Sequence, residues 1–236
     1  MNKITVAPQP VLVEKTHRIY SIDFLRGIVM MLMVLDHTRF FFYYGSFLNN
    51  PLNLETTTPL LFLTRWITHL CAPCFVLLAG TAAFLHGKKL NSKKALSHFL
   101  WTRGIWLVAL EFMVITFGWF FDPNYTMFNV QVIFAIGMCM IVMAALIHLP
   151  IKAVIGLGLF ITFTHNIYDG LQFDNYWLEA LWIFFFKHGN TLLFNKIMYV
   201  YYPVIPWLGI MCLGYGLGTL YIKKDEQAAN KRKRFL

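Results

Sequence analysis

Charged side chains are scarce in this chain of 236 residues, and acidic ones are scarcest. Asp, Glu, Lys and Arg make up 13% of the residues, with 11 acidic against 20 basic side chains. In a soluble domain about a quarter of the residues are charged, so the composition excludes that class. Hydrophobic residues reach 58% and the mean hydropathy is +0.58. The sequence therefore predicts an integral membrane protein.

Cysteine is also sparse, and the four residues all lie in apolar stretches: Cys71, Cys74, Cys139 and Cys212. The spacing Cys71-Ala-Pro-Cys74 occurs in redox and metal sites, but one pair without a second is weak support for either. Free cysteine more often behaves as a small buried hydrophobe. We therefore predict core residues and no metal site.

The sequence shows no internal repeat and no low-complexity tract, and we expect no cleavable leader before the first apolar segment. Before residue 24 it offers Pro8, Pro10 and mixed polar residues in place of the apolar run of a signal peptide. We expect the first apolar segment to serve as an uncleaved anchor.

Long apolar stretches dominate what is present. A stretch of about 20 residues crosses about 30 Å of hydrocarbon, and the candidates lie near 24–44, 60–85, 98–121, 128–148 and 204–222, with a shorter one near 151–166. Residues 176–187 are too short and Trp-rich for a crossing and suit an interfacial or re-entrant segment. We predict an all-α, polytopic transmembrane helix bundle of about six crossings in one domain, residues 1–236.

Basic residues alternate between connections in a way that orients the bundle. Lys and Arg cluster before the first crossing, between the second and third, near 152 and after 222, whereas the alternate connections hold only Lys187 and Lys196. This bias predicts that both termini are cytoplasmic and that the protein is multi-pass. We interpret the net charge of +9 as a topology signal and an attraction to anionic membrane lipid, not as a nucleic-acid surface.

Ionisable residues inside the predicted crossings are few, and each costs about 2.5 to 3.5 kcal/mol to insert. They are Asp36, His37, Arg39, Arg65, His69 and Glu111. Such residues need a partner, a water-filled cavity or a function. For Glu111 the sequence leaves open a cationic or imidazole partner and a protonated, hydrogen-bonded carboxyl.

Arg26 and His37 are eleven positions apart on the first crossing. On an α-helix they lie within about 20° of each other and about 16 Å apart along the axis. Asp23 shares this face, and Arg39 is predicted to point roughly the other way, toward the external headgroups. Asp36, about 100° from His37, is expected either to bond another helix or to reach His37 sideways.

This arrangement suggests acyl transfer from a coenzyme A thioester. An imidazole can accept a proton from an attacking hydroxyl or amine near neutral pH, so His37 is the candidate base. The planar guanidinium of Arg26 can bind donor phosphates. Arg65 and His69 could polarise the carbonyl. The alternative for Asp36 and His37 is a polar pair that holds helices together.

Three motifs carry a family resemblance. They are Ser21-Ile-Asp23-Phe-Leu-Arg26-Gly-Ile, Asp36-His37-Thr-Arg39 and Thr64-Arg65-Trp-Ile-Thr-His69-Leu-Cys-Ala-Pro73-Cys-Phe-Val-Leu-Leu-Ala-Gly80. These closely resemble the bacterial membrane family related to the heparan-α-glucosaminide N-acetyltransferase catalytic domain. More broadly, the Arg26-to-His37 spacing is similar to a signature of the membrane acyltransferase-3 proteins, which O-acylate cell-surface glycans.

The resemblance implies a membrane acyltransferase in which His37 is catalytic and Arg26 serves the acyl donor. Together with the candidates from the residues themselves, the predicted catalytic residues are His37, Asp36, His69 and Arg65, and the predicted donor-site residues are Arg26 and Asp23. The donor would be cytoplasmic acyl-CoA, acetyl-CoA in particular, and the acceptor an external or periplasmic sugar or glycan. The location implied is the inner or plasma membrane of a bacterium. Longer relatives have about ten helices, so the chain is expected to lack their C-terminal helices, to be a shortened relative, or to need a partner membrane subunit or a second copy.

Two other classes stay open at this stage. A small-solute or proton-coupled transporter could use Asp36, His37, His69 and Glu111 as a relay, although no paired, Gly- or Pro-interrupted halves are visible. A non-catalytic membrane subunit could use the same groups only for helix packing.

Overall fold

The structure is a computed structural model that describes residues 20–44, 53–55, 57–168 and 170–234, with side chains in the last helix described as far as residue 222. The structure does not describe the basic residues before 20, the basic side chains after 222, or most of the connection 45–59. The orientation predicted from them is therefore not tested.

The described chain is mostly helical, as predicted. Its α-helices are α1 Tyr20–Phe42, α2 Pro59–Thr68, α3 Cys71–Leu90, α4 Lys93–Leu110, α5 Thr116–Phe120, α6 Val132–Leu146, α7 Ile151–Thr164, α8 Tyr176–Phe185 and α9 Val204–Arg234. A π-helical turn, Glu111–Ile115, joins α4 to α5, and a 3-10 turn, His165–Tyr168, follows α7.

Three helical segments of the described chain are long and apolar enough to cross a membrane: Pro59–Leu90, Lys93–Phe120 and Val204–Ile222. They match three of the predicted crossings. Helices α6 and α7 have only 15 and 14 residues. The α6 crossing was predicted to begin near residue 128, but residues Met127–Val130 form a strand instead.

A break at His69 and Leu70 separates α2 from α3 within the second predicted crossing. Pro73 explains the position, because a helical residue there would donate its N–H to the carbonyl of His69 and proline has none. The N-terminus of α2 is defined by Thr58, whose hydroxyl accepts the N–H of Leu61, and by Pro59 in the first turn.

The core of the bundle is a close crossing of α3 and α9. A Cβ added to Gly80 would lie 2.1 Å from the carbonyl oxygen of Met211, and one added to Gly214 would lie 2.0 Å from that of Leu77. Thr81 Oγ1 donates to the carbonyl of Gly214 at 2.9 Å, inside this contact. Gly80 and Gly214 therefore allow the two helix backbones to approach closely.

Glu111 is fully buried at the start of the π-helical turn. Its two carboxylate oxygens accept the backbone N–H groups of Gln131, at 3.0 Å, and Phe134, at 3.2 Å. These donors belong to the unpaired N–H groups at the beginning of α6. The partner is thus a helix N-terminus. Of the two alternatives that the sequence left open, the described residues show no cation or imidazole in contact with Glu111, and its carboxyl is hydrogen-bonded.

A three-stranded sheet was not predicted. Strand β1 is Met127–Val130, β2 is Gly189–Leu193 and β3 is Lys196–Val200, in the order β1-β3-β2, with β1 parallel and β2 antiparallel to β3. Phe194 and Asn195 both have positive φ, 51° and 59°, as in the tight turns that match the twist of a hairpin. Within the segment predicted to be interfacial or re-entrant, α8 occupies ten residues.

Candidate functional site

Asp36 of α1 is the centre of a polar cluster that joins α1 to α2. Its oxygens accept two hydrogen bonds from Arg65 Nη1, at 3.0 and 2.9 Å, and one from Thr68 Oγ1, at 2.8 Å. Thr68 is buried, and the carboxylate of Asp36 is a quarter exposed. Of the two predicted alternatives, Asp36 therefore bonds another helix and does not reach sideways to His37.

Arg39 also belongs to this cluster, and the prediction that it points away toward external headgroups is wrong. Its Nη2 donates to Asp36 Oδ1 at 2.5 Å, and the side chain is only 13% exposed. Residues three apart on a helix are neighbours on its surface, which is the sequence signal that could have placed Arg39 beside Asp36.

One guanidinium nitrogen of Arg39 makes no hydrogen bond to the described residues. This nitrogen, Nη1, is buried. Buried donors are nearly always satisfied, so this unpaired N–H costs free energy. With two guanidinium groups against one carboxylate, the cluster of Asp36, Arg39 and Arg65 also has a formal charge of +1.

A cavity of about 280 Å³ lies beside the cluster, between the end of α1 and the start of α2. Its lining combines polar and aliphatic residues: Leu35, Asp36, Arg39, Tyr43, Thr58, Leu60, Leu61, Thr64 and Thr68. A few placed polar groups on an apolar wall are typical of small-molecule sites, although this volume is near the lower end of their range. The cavity suits a small hydroxylated ligand better than a large one.

His37 follows Asp36 in the chain but faces a different neighbour. Its Nδ1 lies 2.8 Å from the carbonyl oxygen of Met33, and its ring centroid is 6.0 Å from that of Trp119. A carbonyl only accepts, so this contact places the proton on Nδ1 and makes Nε2 the basic nitrogen of the neutral ring. The side chain of His37 is exposed, which leaves it open to a reactant.

His69 is exposed at the break between α2 and α3. Its Nδ1 lies 3.1 Å from the carbonyl oxygen of Arg65, so it has the same tautomer as His37. The cavity beside Asp36 is lined by neither of these histidines. The structure therefore joins Asp36 and Arg65, and it places the two predicted imidazoles outside that cluster.

Arg26 lies near the other end of α1. Its Nη1 is 3.9 Å from Asp23 Oδ1, and both side chains are more than a third exposed. Because α1 is continuous from Tyr20 to Phe42, Arg26 and His37 keep an axial separation of about 16 Å. The two predicted donor-site residues are thus neighbours, well away from the cluster around Asp36.

The sequence reasoning missed Arg39 and the threonines that line the cavity. It also missed Trp119, which contacts His37 and stacks on Phe41 with ring centroids 5.0 Å apart. No spacing rule within one helix could have identified Trp119, since it lies in α5, more than seventy residues from α1. The threonines had a weak signal, because Thr64 and Thr68 are one turn apart beside Arg65.

The four cysteines are free, and Cys71, Cys139 and Cys212 are buried, in agreement with the predicted core role. In the part of the chain that the structure describes, no group of three or more His, Cys, Asp and Glu side chains is arranged to hold a metal ion.

Comparison with known proteins gives one match. The family described as heparan-alpha-glucosaminide N-acetyltransferase, catalytic, matches residues 18–235. No curated protein and no solved structure matches the chain. The match covers nearly the whole sequence, including α1, the cluster around Asp36 and the helices long enough to span a membrane. The chain therefore belongs to the heparan-α-glucosaminide N-acetyltransferase catalytic family and is a membrane protein of the acetyltransferase class.

Proposed function

We propose that this protein transfers an acetyl or other acyl group from cytoplasmic acyl-CoA to a sugar or glycan acceptor on the opposite side of the membrane. The observation that carries the proposal is the cavity beside the cluster of Asp36, Arg39 and Arg65, in a chain of an acetyltransferase family. Hydroxyl-rich ligands suit a site of this polarity and size.

The proposed orientation puts the beginning of α1 on the cytoplasmic side of a bacterial inner or plasma membrane. The basic residues at the turn from α3 to α4 and at the start of α7 support it: Lys88, Lys89, Lys93, Lys94 and Lys152. In the proposed six-crossing topology, all of them lie at the end of the bundle where α1 begins. Six crossings with both termini cytoplasmic then give a multi-pass protein, and Arg26 faces the compartment that holds the donor.

The proposed donor site is Arg26 with Asp23. A planar guanidinium binds phosphate oxygens in pairs, and the ion pair to Asp23 holds the side chain in place until a phosphate displaces or bridges it. The acyl end of an extended donor then points toward His37, about 16 Å further along the helix.

The proposed chemistry uses Nε2 of His37 as the general base. It removes the proton from the acceptor hydroxyl or amine as that atom attacks the thioester carbonyl carbon. The C–S bond breaks, and the coenzyme A thiolate takes the proton back from the imidazolium. The products are the acylated acceptor and free coenzyme A thiol.

Arg65 and His69 have supporting roles in this proposal. Arg65 is fixed by Asp36, so its positive charge is available at a defined place for a developing oxyanion. Asp36 then positions Arg65 and Arg39 and does not act on His37. The proposal requires the acceptor to extend from the Asp36 face of α1 to the His37 face, about 100° around the helix.

A proton-relay transporter finds less support in the contacts. Asp36 is held by two guanidinium groups, and Glu111 by two backbone N–H groups of α6. Neither carboxylate contacts His37 or His69 in the described residues, so the expected relay groups do not form a chain.

The test uses purified protein in nanodiscs with radiolabelled acetyl-CoA and a panel of amino sugars and neutral sugars. His37→Ala should retain donor binding and lose turnover by about 100-fold or more, the usual contribution of a general base. Arg26→Ala should weaken donor binding. His188→Ala, at an exposed histidine after α8, is the matched control and should leave both measurements unchanged. Thermal unfolding of each variant confirms folding, and transfer at the unmodified rate by both variants would show that the assignment is wrong.

A further inference from the structure

A second cavity, of about 500 Å³, lies between α4 and the end of α6, away from the cluster around Asp36. Its lining comes from one face of each helix and from the turn after α6: Lys94, Ser97, His98, Trp101, Ile141, Ala144, Ala145 and His148. None of these residues has a role in the proposed acyl transfer. The cavity is called the α4–α6 groove below.

The outer rim of the α4–α6 groove is rich in cationic and donor groups. Lys94, His98 and His148 line it, and all three are exposed. Lys93 adds a second ammonium at this rim, because its Nζ donates to the carbonyl oxygen of His148 at 3.2 Å. Among the described residues, none of those that line the groove is acidic. The rim therefore attracts anions.

The deeper wall of the groove is apolar. Ile141, Ala144 and Ala145 of α6 face Trp101 of α4, which is half exposed. Trp101 lies seven residues, about 10 Å along the helix, inward from Lys94. A ligand with a phosphate group at one end and an acyl chain about 10 Å further in would complement this cationic rim and apolar wall. Tryptophan is also enriched at the membrane interface.

The groove is fixed by hydrogen bonds and so exists before any ligand binds. Ser97 Oγ donates to the carbonyl oxygen of Ala144 at 2.7 Å, across the floor between α4 and α6. Together with the contact from Lys93 to His148, it ties the two helices at both the rim and the wall. Binding therefore requires little rearrangement of the protein.

We propose that the α4–α6 groove binds an anionic phospholipid, with the headgroup phosphate at Lys94, His98 and His148 and one acyl chain against Trp101, Ala144 and Ala145. The rim is at the end of the bundle that carries the lysines of the α3–α4 turn and of α7. The negative leaflet potential concentrates anionic lipid beside such clusters. Inorganic phosphate could bind the cationic rim, but it has no acyl chain to contact the apolar wall. Contact with the wall therefore distinguishes a bound lipid from a bound soluble phosphate.

Native mass spectrometry of the intact, detergent-purified protein tests the site with phosphatidylglycerol, phosphatidylcholine and inorganic phosphate as probes. The unmodified protein should retain phosphatidylglycerol in preference to phosphatidylcholine. The double variant Lys94→Gln/His98→Gln should lower the retained phosphatidylglycerol about tenfold. Lys152→Gln is the matched control, because Lys152 is an exposed lysine at the same end that does not line the groove.

A second variant tests the wall without changing charge. Ala145 is exposed within the groove, so Ala145→Trp should fill the wall and lower phosphatidylglycerol retention while inorganic phosphate binding stays the same. Retention unchanged in both Ala145→Trp and the double variant would overturn the proposal. So would displacement of the lipid by millimolar inorganic phosphate, which would indicate a soluble anion site at the rim alone. Lipid selectivity is measured without acyl donor or acceptor. The result therefore tests the lipid site independently of the proposed acyl transfer.

Discussion

Arg65 on α2 donates from one nitrogen to both carboxylate oxygens of Asp36 on α1, at 3.0 and 2.9 Å. With Arg39 on the other side of the same carboxylate, the contact makes Asp36 the only counter-charge that the described contacts give to two guanidinium groups. Removing that one negative charge therefore affects two helices at once.

Asp36→Asn should destabilise the protein by about 2 to 4 kcal/mol, somewhat less than the loss of one partner in a fully buried pair, because the carboxylate keeps some solvent contact. The amide leaves Arg39 and Arg65 as neighbouring like charges without a counter-ion. Thermal unfolding in detergent measures the effect. Asp174→Asn, at an exposed carboxylate after α7, should change the midpoint little, and an equal shift in both variants would contradict the role given to Asp36.

Arg39→Lys should weaken acceptor binding in particular. The ammonium keeps the charge beside Asp36, but it loses the planar fork of the guanidinium that lines the cavity. If the acceptor binds there, its KM should rise about tenfold, equivalent to about 1.4 kcal/mol, while donor binding stays the same. Arg103→Lys on the exposed face of α4 provides the control. A change in donor binding with no change in the KM of the acceptor would indicate that the acceptor binds at another site.

Glu111→Gln should cost about 1 to 3 kcal/mol of stability, the cost of an unsatisfied buried group. The two carboxylate oxygens accept two N–H groups of α6, whereas an amide has one acceptor oxygen and would turn its NH₂ toward the second donor. Chemical unfolding measures the loss. Glu179→Gln is a suitable comparison, since Glu179 accepts one N–H, that of Phe173, near the surface, and it should show the smaller effect.

Gly80→Ala should separate α3 from α9 and lower stability, because the new methyl group would overlap the carbonyl oxygen of Met211. Backbone atoms cannot move aside as a side chain can, so the cost should exceed about 1 to 3 kcal/mol, the usual range for overpacking. Gly156 in α7 has nothing within 4 Å of an added Cβ. Gly156→Ala should therefore raise stability by about 0.5 to 1 kcal/mol, and opposite signs for the two variants in one unfolding assay are the expected result.

The stability of the connection between α5 and β1 depends on pH through the carboxylate of Asp122. Hydrogen bonds from Oγ1 and N–H of Thr126, and from N–H of Asn124, hold the pKa of Asp122 below its usual value. A folded-state pKa below the unfolded one stabilises the fold above the unfolded pKa, and the contribution is lost as pH falls through the folded value. The protection factors of the amides in residues 122–126, which correct for the intrinsic pH dependence of hydrogen exchange, should fall below about pH 4. In Asp122→Asn, this pH-dependent loss of protection should be absent.

The positions of the long helices could be predicted because hydropathy over about 20 residues directly reflects the need to cover hydrocarbon. The contacts of single polar groups could be predicted only in part. Asp36 was expected to have an interhelical partner as one alternative, but nothing in α1 alone indicates that this partner is Arg65. Glu111 shows a different limit, because its partners are backbone N–H groups and these leave no trace in the pattern of side chains.

The strands were missed for a topological reason. β1 has four residues, and its partner β3 begins 69 positions after β1 does, so no local alternation between short strands could reveal the pair. The tight turn at Phe194 and Asn195 was equally hidden, since Phe194 adopts positive φ at a position where glycine or asparagine is the usual signal.

The parallel pairing of β1 with β3 also constrains how the molecule is assembled. Between these strands the chain passes through α6, α7 and α8, so the pairing can form only after all three helices have been synthesised and folded back on one another. Contacts between such distant segments form late, because the intervening loop must first be closed. Protection of the β1 amides from exchange during biosynthesis consequently reports that the chain has been synthesised as far as β3 and that the two strands have paired.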